Sequence, residues 1–332
     1  MRKIGIFGSG SWAVALAKIL CENSENGETI NWYFRKKDDI DFFTKRHHHP
    51  RYLTTTYFNI DKFQFYSEPE VFFKDTDLII LAVPSAFLHE QLNSVNKEIL
   101  QQKVFFSAVK GIVPQYLLII GEYLNHVFGV PYSQIGVITG PSHAEEVAME
   151  KLSYLTIASE NEGIRSFMAR RLECAYVHTV TSDDIYGTEI SAVLKNVYAI
   201  AAGICMGLGY GDNFLAVLVS YAMQELKNFI SAVHPISRDF LTSAYVGDLL
   251  VTVYSPFSRN RTFGMMIGKG LSVKQARMEM NMVAEGYYSA ACIQKICSEK
   301  KLNPELALLV YGVLYEGANP SEEIKKLLPK LT

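Results

Sequence analysis

KIGIFGSGSWAVALAKIL, residues 3–20, decides the fold of this chain. Lys3 to Phe7 is short and apolar enough for one strand. Gly8-Ser9-Gly10-Ser11-Trp12-Ala13 breaks it, and from Val14 to Cys21 apolar residues return at helical spacing. Thr29 to Phe34 (TINWYF) is rich in β-formers and completes a βαβ unit of about 30 residues. The break matches G-x-G-x-x-G/A in its proper context, directly after a strand and opening a helix. Gly8 permits the tight turn, Gly10 lets backbone N–H groups approach a pyrophosphate, and the small Ala13 lets helix and strand pack closely. A nicotinamide dinucleotide is the implied ligand, with Gly8 and Gly10 at its pyrophosphate; Trp12 reads either as a cofactor contact or as packing on the first helix.

The end of the second strand selects between cofactors. An NAD site usually carries an acid there for the ribose, whereas this chain reads Phe34-Arg35-Lys36-Lys37. Arg35 by a forked contact and Lys36 as a point charge would hold a 2′-phosphate, so NADP is favoured over NAD. A solvated basic loop is the alternative.

Farther along, DLIILAVPS (77–85), KVFFSAVKG (103–111) and QIGVITGPS (134–142) read as buried strands entering turns, the mark of a parallel sheet covered on both faces. SHAEEVAME (142–150) looks helical, with Ser142 placed as its cap. LSYLTIAS (152–159) and AYVHTV (175–180) add strands around the helix GIRSFMARRLE (163–173). After Asp184 strand signals stop. Glu189–Gly207, Phe214–Ala232 and Val273–Met282 all have helical spacing. The expected fold class is α/β: an N-terminal Rossmann-type doubly wound domain over 1–184, then a mostly helical substrate and dimerisation domain over 185–332. No flexible linker separates them, so a broad fixed interface is expected, with the cleft as the default site.

Bulk properties agree. A chain of 332 residues is long for one core. A net charge of -2 leaves no basic excess for a run of phosphates, which excludes a general nucleic-acid binder. Cys21, Cys174, Cys205, Cys292 and Cys297 are odd in number and lack CxxC spacing, which fits reduced thiols in the cytoplasm rather than disulfides or zinc. The start lacks a signal-peptide apolar region. Val197 to Gly211 is the most apolar later stretch. Its uncharged length falls short of the roughly 18 residues of a membrane span, so it reads as a buried helix.

Several stretches together resemble the NAD(P)-dependent glycerol-3-phosphate dehydrogenase family: GSGSWAVALA at the start, LAVPS (81–85), VKGI (109–112), GPSHAEEVA (140–148), LKNVYAIAAG (194–203), GDLLVT (247–252), SRNRTFG (258–264) and VAEG (283–286). Ala13 replaces the glycine more usual in that family, and Ser255-Pro256-Phe257 departs from its pattern. The resemblance implies hydride transfer between a nicotinamide and the pair dihydroxyacetone phosphate and sn-glycerol 3-phosphate, supplying glycerophospholipid synthesis in a cytoplasmic homodimer. It makes Lys195 the proton donor or acceptor. It sets Lys110, Gly140, Ser142, Asp248, Ser258, Arg259 and Asn260 around the substrate, with Asn196 and Thr252 as further polar positions of the pocket. Ser11, Trp12, Arg35, Lys36, Lys110, Ala144, Arg259, Val283 and Glu285 would face the cofactor.

The chemistry has reasons for these residues. Hydride delivery to a ketone builds negative charge on its oxygen, which calls for a proton donor aimed there. Lys195 lies in the apolar helical segment Ile190–Val197, where an unpaired ammonium is costly. Burial and a second cation such as Lys110 would lower its pKa toward working pH, while Asp248 would orient it. From spacing alone, Lys195 could equally snorkel to the surface. Ser258-Arg259-Asn260-Arg261 offers a fork of donors to a phosphate, with Arg259 the choice for that contact and Arg261 the better candidate for a solvated face.

His47-His48-His49 is not read as a metal site, because adjacent residues before Pro50 cannot all face one ion and no acid or thiol lies near. No metal is expected anywhere. His143 reads as a helix-start residue. Two other functions are alternatives: a hydroxyacid dehydrogenase of the 6-phosphogluconate or ketopantoate type with the same two-domain plan, and a non-catalytic NADPH-sensing protein that keeps the Rossmann domain but has lost catalysis. The presence of both Lys110 and Lys195 counts against the second.

Overall fold

The computed structural model describes residues 3–24, 27–280 and 284–331. It divides into two compact units, 1–109 with 120–185, and 110–119 with 186–332.

The first unit is built on one sheet. Its strands are β1 (Ile4–Phe7), β2 (Ile30–Tyr33), β3 (Phe63–Tyr66), β4 (Leu78–Leu81) and β5 (Val104–Ser107). After the second unit's short strands β6 (Ile112–Val113) and β7 (Leu118–Ile119) come β8 (Ile135–Thr139), β9 (Ser153–Ala158) and β10 (Val177–Ser182). The order β10-β9-β8-β5-β4-β1-β2-β3 contains the doubly wound sequence 3-2-1-4-5 followed by β8. Pairing is parallel except between β8 and β9, which reverses the last two strands. β1, β2, β4, β5 and β8 are buried along their whole length, as expected of strands covered on both faces. β3 escapes the sequence reading. It is an edge strand with exposed and half-buried positions and no continuous apolar run.

Chain order reverses at β1, with β2 on one side and β4 on the other. This is the switch point where open α/β sheets hold ligands, at the carboxyl ends of their strands. The dinucleotide turn stands there.

The second unit is helical, and among the described residues no strand follows β10. Its central helix, Ile185–Gly207, starts earlier than expected and stops before the Val197–Gly211 stretch ends. It is long and apolar enough to cross a membrane by composition, yet 89% of its most apolar window is buried inside the protein. Leu194, Val197, Tyr198, Ile200 and Ile204 are all inaccessible, which makes this the hydrophobic axis of the unit. Gly203 and Gly207 face Gly264 and Gly268 of the helix Arg259–Gly268 at very short range. A Cβ on Gly203 would lie 2.1 Å from the Arg261 carbonyl, and one on Gly264 would lie 2.1 Å from that of Ile200. Only glycine lets two helix backbones approach so closely. Their contact draws the SRNR segment against LKN.

Three expectations change. The segment 110–119, read as part of the first domain, belongs to the second unit, where Ile112 and Ile119 join the helical core. Ser142 does not cap the helix Ala144–Ala148. His143 stands at the cap position, its side chain making no cap bond to the helix, and the Ser142 hydroxyl donates to the Gly140 carbonyl instead, at 3.1 Å. The helix expected over Val273–Met282 is Val273–Glu279, capped by a Ser272–Gln275 box; residues 281 and 282 lie outside the described residues.

Candidate active site

In the first unit, Gly8 leaves β1 at φ +125°, and a Cβ there would stand 2.5 Å from the Ala82 carbonyl beyond β4. Both facts demand glycine. Gly10 differs. Its φ of -75° and ψ of 177° suit any residue, and a Cβ on it would meet nothing within 4 Å. A glycine without a conformational or packing reason, at the N-cap of the helix Ser11–Glu22, leaves open space for something outside the chain. That helix start has no side-chain cap bond and no acidic residue in its first turn. The first N–H groups of a helix lack intrahelical acceptors and carry its positive dipole end, so the cradle fits an anion such as a pyrophosphate. Ser11 and Ala13 are buried and Trp12 half-buried. The helix packs on Ala144–Ala148.

Arg35 and Lys36 stand exposed just beyond β2, with Lys36 at the cap of the helix Lys37–Arg46. No acid occupies the strand end itself. Asp39, one turn on, is buried and engaged by Arg51. Gly140 has φ +105°, and its Cβ would lie 2.7 Å from the Tyr154 carbonyl on β9. Packing against β9 is therefore reason enough for this glycine.

The second unit gathers the polar residues. Lys195, 3% exposed, is ion-paired to Asp248, 1% exposed, and Lys110 reaches the other oxygen of that carboxylate at 3.6 Å. Asp248 opens the helix Asp248–Tyr254, and its carbonyl receives the Thr252 hydroxyl at 2.6 Å. Burial pushes the Lys195 ammonium down; Asp248 opposes this and the Lys110 cation adds to it, leaving the group at about 7. Two ammoniums share one carboxylate. The excess positive charge suits an anionic ligand.

A chain of amides ties this centre to the other quoted stretches. Asn196 donates through Nδ2 to the Lys110 carbonyl at 2.7 Å, Asn260 donates to Asn196 Oδ1 at 2.9 Å, and the Gly286 N–H donates to Asn260 Oδ1 at 2.9 Å. VKG, LKN, SRNR and AEG thus meet in one network. Sequence reading treated Asn196 and Asn260 as substrate groups; both are buried and spend these side-chain atoms on protein partners. Gly286 was missed. Its Cβ would fall 2.6 Å from the Asn196 carbonyl, a close approach that no spacing rule signals. Glu285 is the first residue of the helix Glu285–Lys300, while Val283 lies outside the described residues.

Ser258 is buried and caps the helix Arg259–Gly268 by accepting from the Arg261 N–H at 3.3 Å. Arg261 donates to the Tyr254 carbonyl at 2.5 Å, a structural use. Arg259 is exposed at the first helical position. Among the described residues no group of His, Cys, Asp or Glu could hold a metal. His49 is buried and accepts through Nδ1 from the Arg51 and Tyr52 N–H groups at 3.1 and 3.0 Å, and burial lowers it to about 4. It folds its own loop.

A doubly wound unit with a glycine-cornered anion cradle, carried in one chain with a helical unit holding a buried lysine near neutrality, defines a nicotinamide-dependent oxidoreductase. Residues 3–165 match the family described as NAD-dependent glycerol-3-phosphate dehydrogenase N-terminus, and residues 184–325 match its C-terminus. The chain belongs to that family. It is 30% identical over 331 residues to a Staphylococcus aureus glycerol-3-phosphate dehydrogenase [NAD(P)+], covering 99% of this chain and 98% of the relative. The crystal structure of a Coxiella burnetii glycerol-3-phosphate dehydrogenase superposes with a TM-score of 0.88 at 26% identity, over 98% of both chains. A Plasmodium falciparum glycerol-3-phosphate dehydrogenase shares the fold, with a TM-score of 0.84 at 20% identity over 98% of this chain and 94% of that one.

Proposed function

We infer that this enzyme reduces dihydroxyacetone phosphate to sn-glycerol 3-phosphate, reversibly, with Lys195 moving the proton. The observation that carries this reading is the Lys195–Asp248–Lys110 cluster inside a chain of this family. When bound, the nicotinamide supplies the hydride. Lys195 in its ammonium form donates a proton to the oxygen that gains charge, and as the free amine it takes that proton back in the oxidation. Asp248 orients the ammonium. Lys110 keeps its proton affinity low and adds a cation for the anionic substrate. Asn196 and Asn260 hold Lys110 through its backbone.

Arg259 is assigned to the substrate phosphate, where a forked donor is apt. The family resemblance assigns Ser142, Gly140, Ser258 and Thr252 to the substrate in a supporting role. Gly8, Gly10, Ser11, Trp12 and Ala144 are assigned to the cofactor's phosphates, Arg35 and Lys36 to a 2′-phosphate, and Glu285 to its nicotinamide half. NADP is the preferred form on this reading. The first unit is the cofactor domain and the second the substrate domain. A cytoplasmic homodimer that feeds glycerophospholipid synthesis follows from the resemblance, and the reduced cysteines are consistent with that compartment.

Following NADPH absorbance tests the substrate, as its loss with dihydroxyacetone phosphate or ketopantoate and as its formation from NADP+ with 6-phosphogluconate. Turnover is expected with the first alone. Activity confined to either of the others would reject the reading.

A further inference from the structure

We propose that Trp32 is a positioning residue for cofactor binding, because its indole N–H holds the Gly8 carbonyl and so fixes the peptide that faces the pyrophosphate. Trp32 lies on β2, fully inaccessible, and its Nε1 donates to the Gly8 carbonyl at 2.8 Å. The ring is fixed in turn by Phe34, Phe43, Phe58 and Phe63, with centroids 4.8 to 5.9 Å away. A buried indole must find an acceptor for its one donor. Here the acceptor belongs to the one residue whose φ of +125° makes the dinucleotide turn.

The Gly8–Ser9 peptide is planar and trans, so its N–H points opposite to its carbonyl. Drawing the carbonyl toward Trp32 aims the Ser9 N–H away from the aromatic cluster, as a donor for an anion at the turn. Glycine at position 8 permits several peptide orientations, and the indole bond selects one of them. Without it, cofactor binding must bear the cost of orienting this peptide. Nothing in the G-x-G-x-x-A pattern names the second strand as the source of that order.

The inference rests on assigning the Gly8–Gly10 turn to the pyrophosphate. Trp32→Phe removes the N–H and keeps an aromatic ring, while Phe58→Leu loosens the same cluster and keeps the N–H. Dissociation constants for NADPH and NADH are read by nicotinamide fluorescence, and melting temperatures by calorimetry. Trp32→Phe should raise both constants by the same factor, about fivefold, the scale of one net hydrogen bond. Phe58→Leu should lower Tm and leave both constants within about twofold of wild type. Trp32→Phe constants within twofold of wild type, or an equal rise in Phe58→Leu, would overturn the proposal.

Should Trp32→Phe not fold, the wild type still decides. Trp12 and Trp32 are the only tryptophans, so an indole-labelled NMR spectrum has two N–H signals, assigned through Trp12→Phe. The Trp32 signal should move on saturation with NADPH; a stationary signal overturns the proposal. Gly10→Ala separates the two failures. If it too binds NADPH normally, the pyrophosphate assignment falls; if it binds weakly while Trp32→Phe does not, only the Trp32 inference falls.

Discussion

Gly8 and Gly10 sit two residues apart in one motif, and their alanine variants should fail in different ways. Alanine at position 8 would have to adopt φ +125° with its Cβ 2.5 Å from a backbone carbonyl. Backbone strain of about 1–3 kcal/mol plus that overlap predicts a stability loss of at least about 3 kcal/mol. Alanine at position 10 takes an extended φ and ψ and meets no atom within 4 Å. Its folding cost is only the preference of a helix cap for glycine over alanine, about 1 kcal/mol. It does occupy the space a phosphate needs to reach the helix N–H groups. Losing one charge-assisted hydrogen bond, worth about 1.5–3 kcal/mol, weakens binding about ten- to a hundredfold. Calorimetry with nicotinamide fluorescence titration separates the two effects. Gly8→Ala should show a large fall in Tm, and Gly10→Ala a nearly native Tm with a raised Kd. A Gly10→Ala protein with wild-type affinity for NADPH would refute the reasoning.

Other consequences can be checked independently. With Lys195 at about 7, kcat/KM for ketone reduction should fall as pH rises through that value, because the ammonium is the donor, and the reverse oxidation should rise through it. Lys110→Met removes a cation that disfavours the ammonium, so both midpoints should move up in pH-rate profiles; unmoved midpoints would dissociate Lys110 from Lys195. Arg35→Asp with Lys36→Ala should shift the ratio of NADPH to NADH affinities toward NADH, and an unchanged ratio would show that these side chains do not read the 2′-phosphate. Glu225 is buried and accepts from the Leu306 and Ala307 N–H groups at 2.8 and 3.0 Å. Burial pushes it up to about 7 against the pull of those donors. Folded Glu225 holds its proton across a window in which an unfolded glutamate, with pKa about 4.3, has lost it, so its contribution to stability declines as pH rises from there to about 7. Glu225→Gln should flatten that decline in Tm, and an unaltered slope would assign it to other groups.

The sheet was legible because its strands are buried on both faces and so read as continuous apolar runs. β1, β4, β5 and β8 stand where those runs stand. β3 was not read, since at four residues Phe63–Tyr66 is a short edge strand without a continuous apolar run. The helix from Ile185 announced itself through apolar spacing over Glu189–Gly207, and only its first turn, Ile185–Thr188, went unread. The burial of Lys195 depends on Asp248, a partner far away in sequence. The site residues came from short motifs, which name side chains without saying what each one touches. Hence Ser142 looked like a cap and bonds Gly140 instead, and Asn196 and Asn260 looked like ligands for substrate and bond each other. Long-range hydrogen bonds such as Trp32 to Gly8 and Gly286 to Asn260 leave no periodic trace, and the paired glycines of two crossing helices have meaning only once the helices are placed.

The most direct test of the account is the dihydroxyacetone phosphate-dependent oxidation of NADPH by Lys195→Met, measured beside its affinity for NADPH. Loss of the proton donor should lower kcat by about a thousandfold, the scale of general acid catalysis, with Kd for NADPH near the wild-type value. A Lys195→Met enzyme that turns over within tenfold of wild type would contradict the assignment of the proton to this lysine.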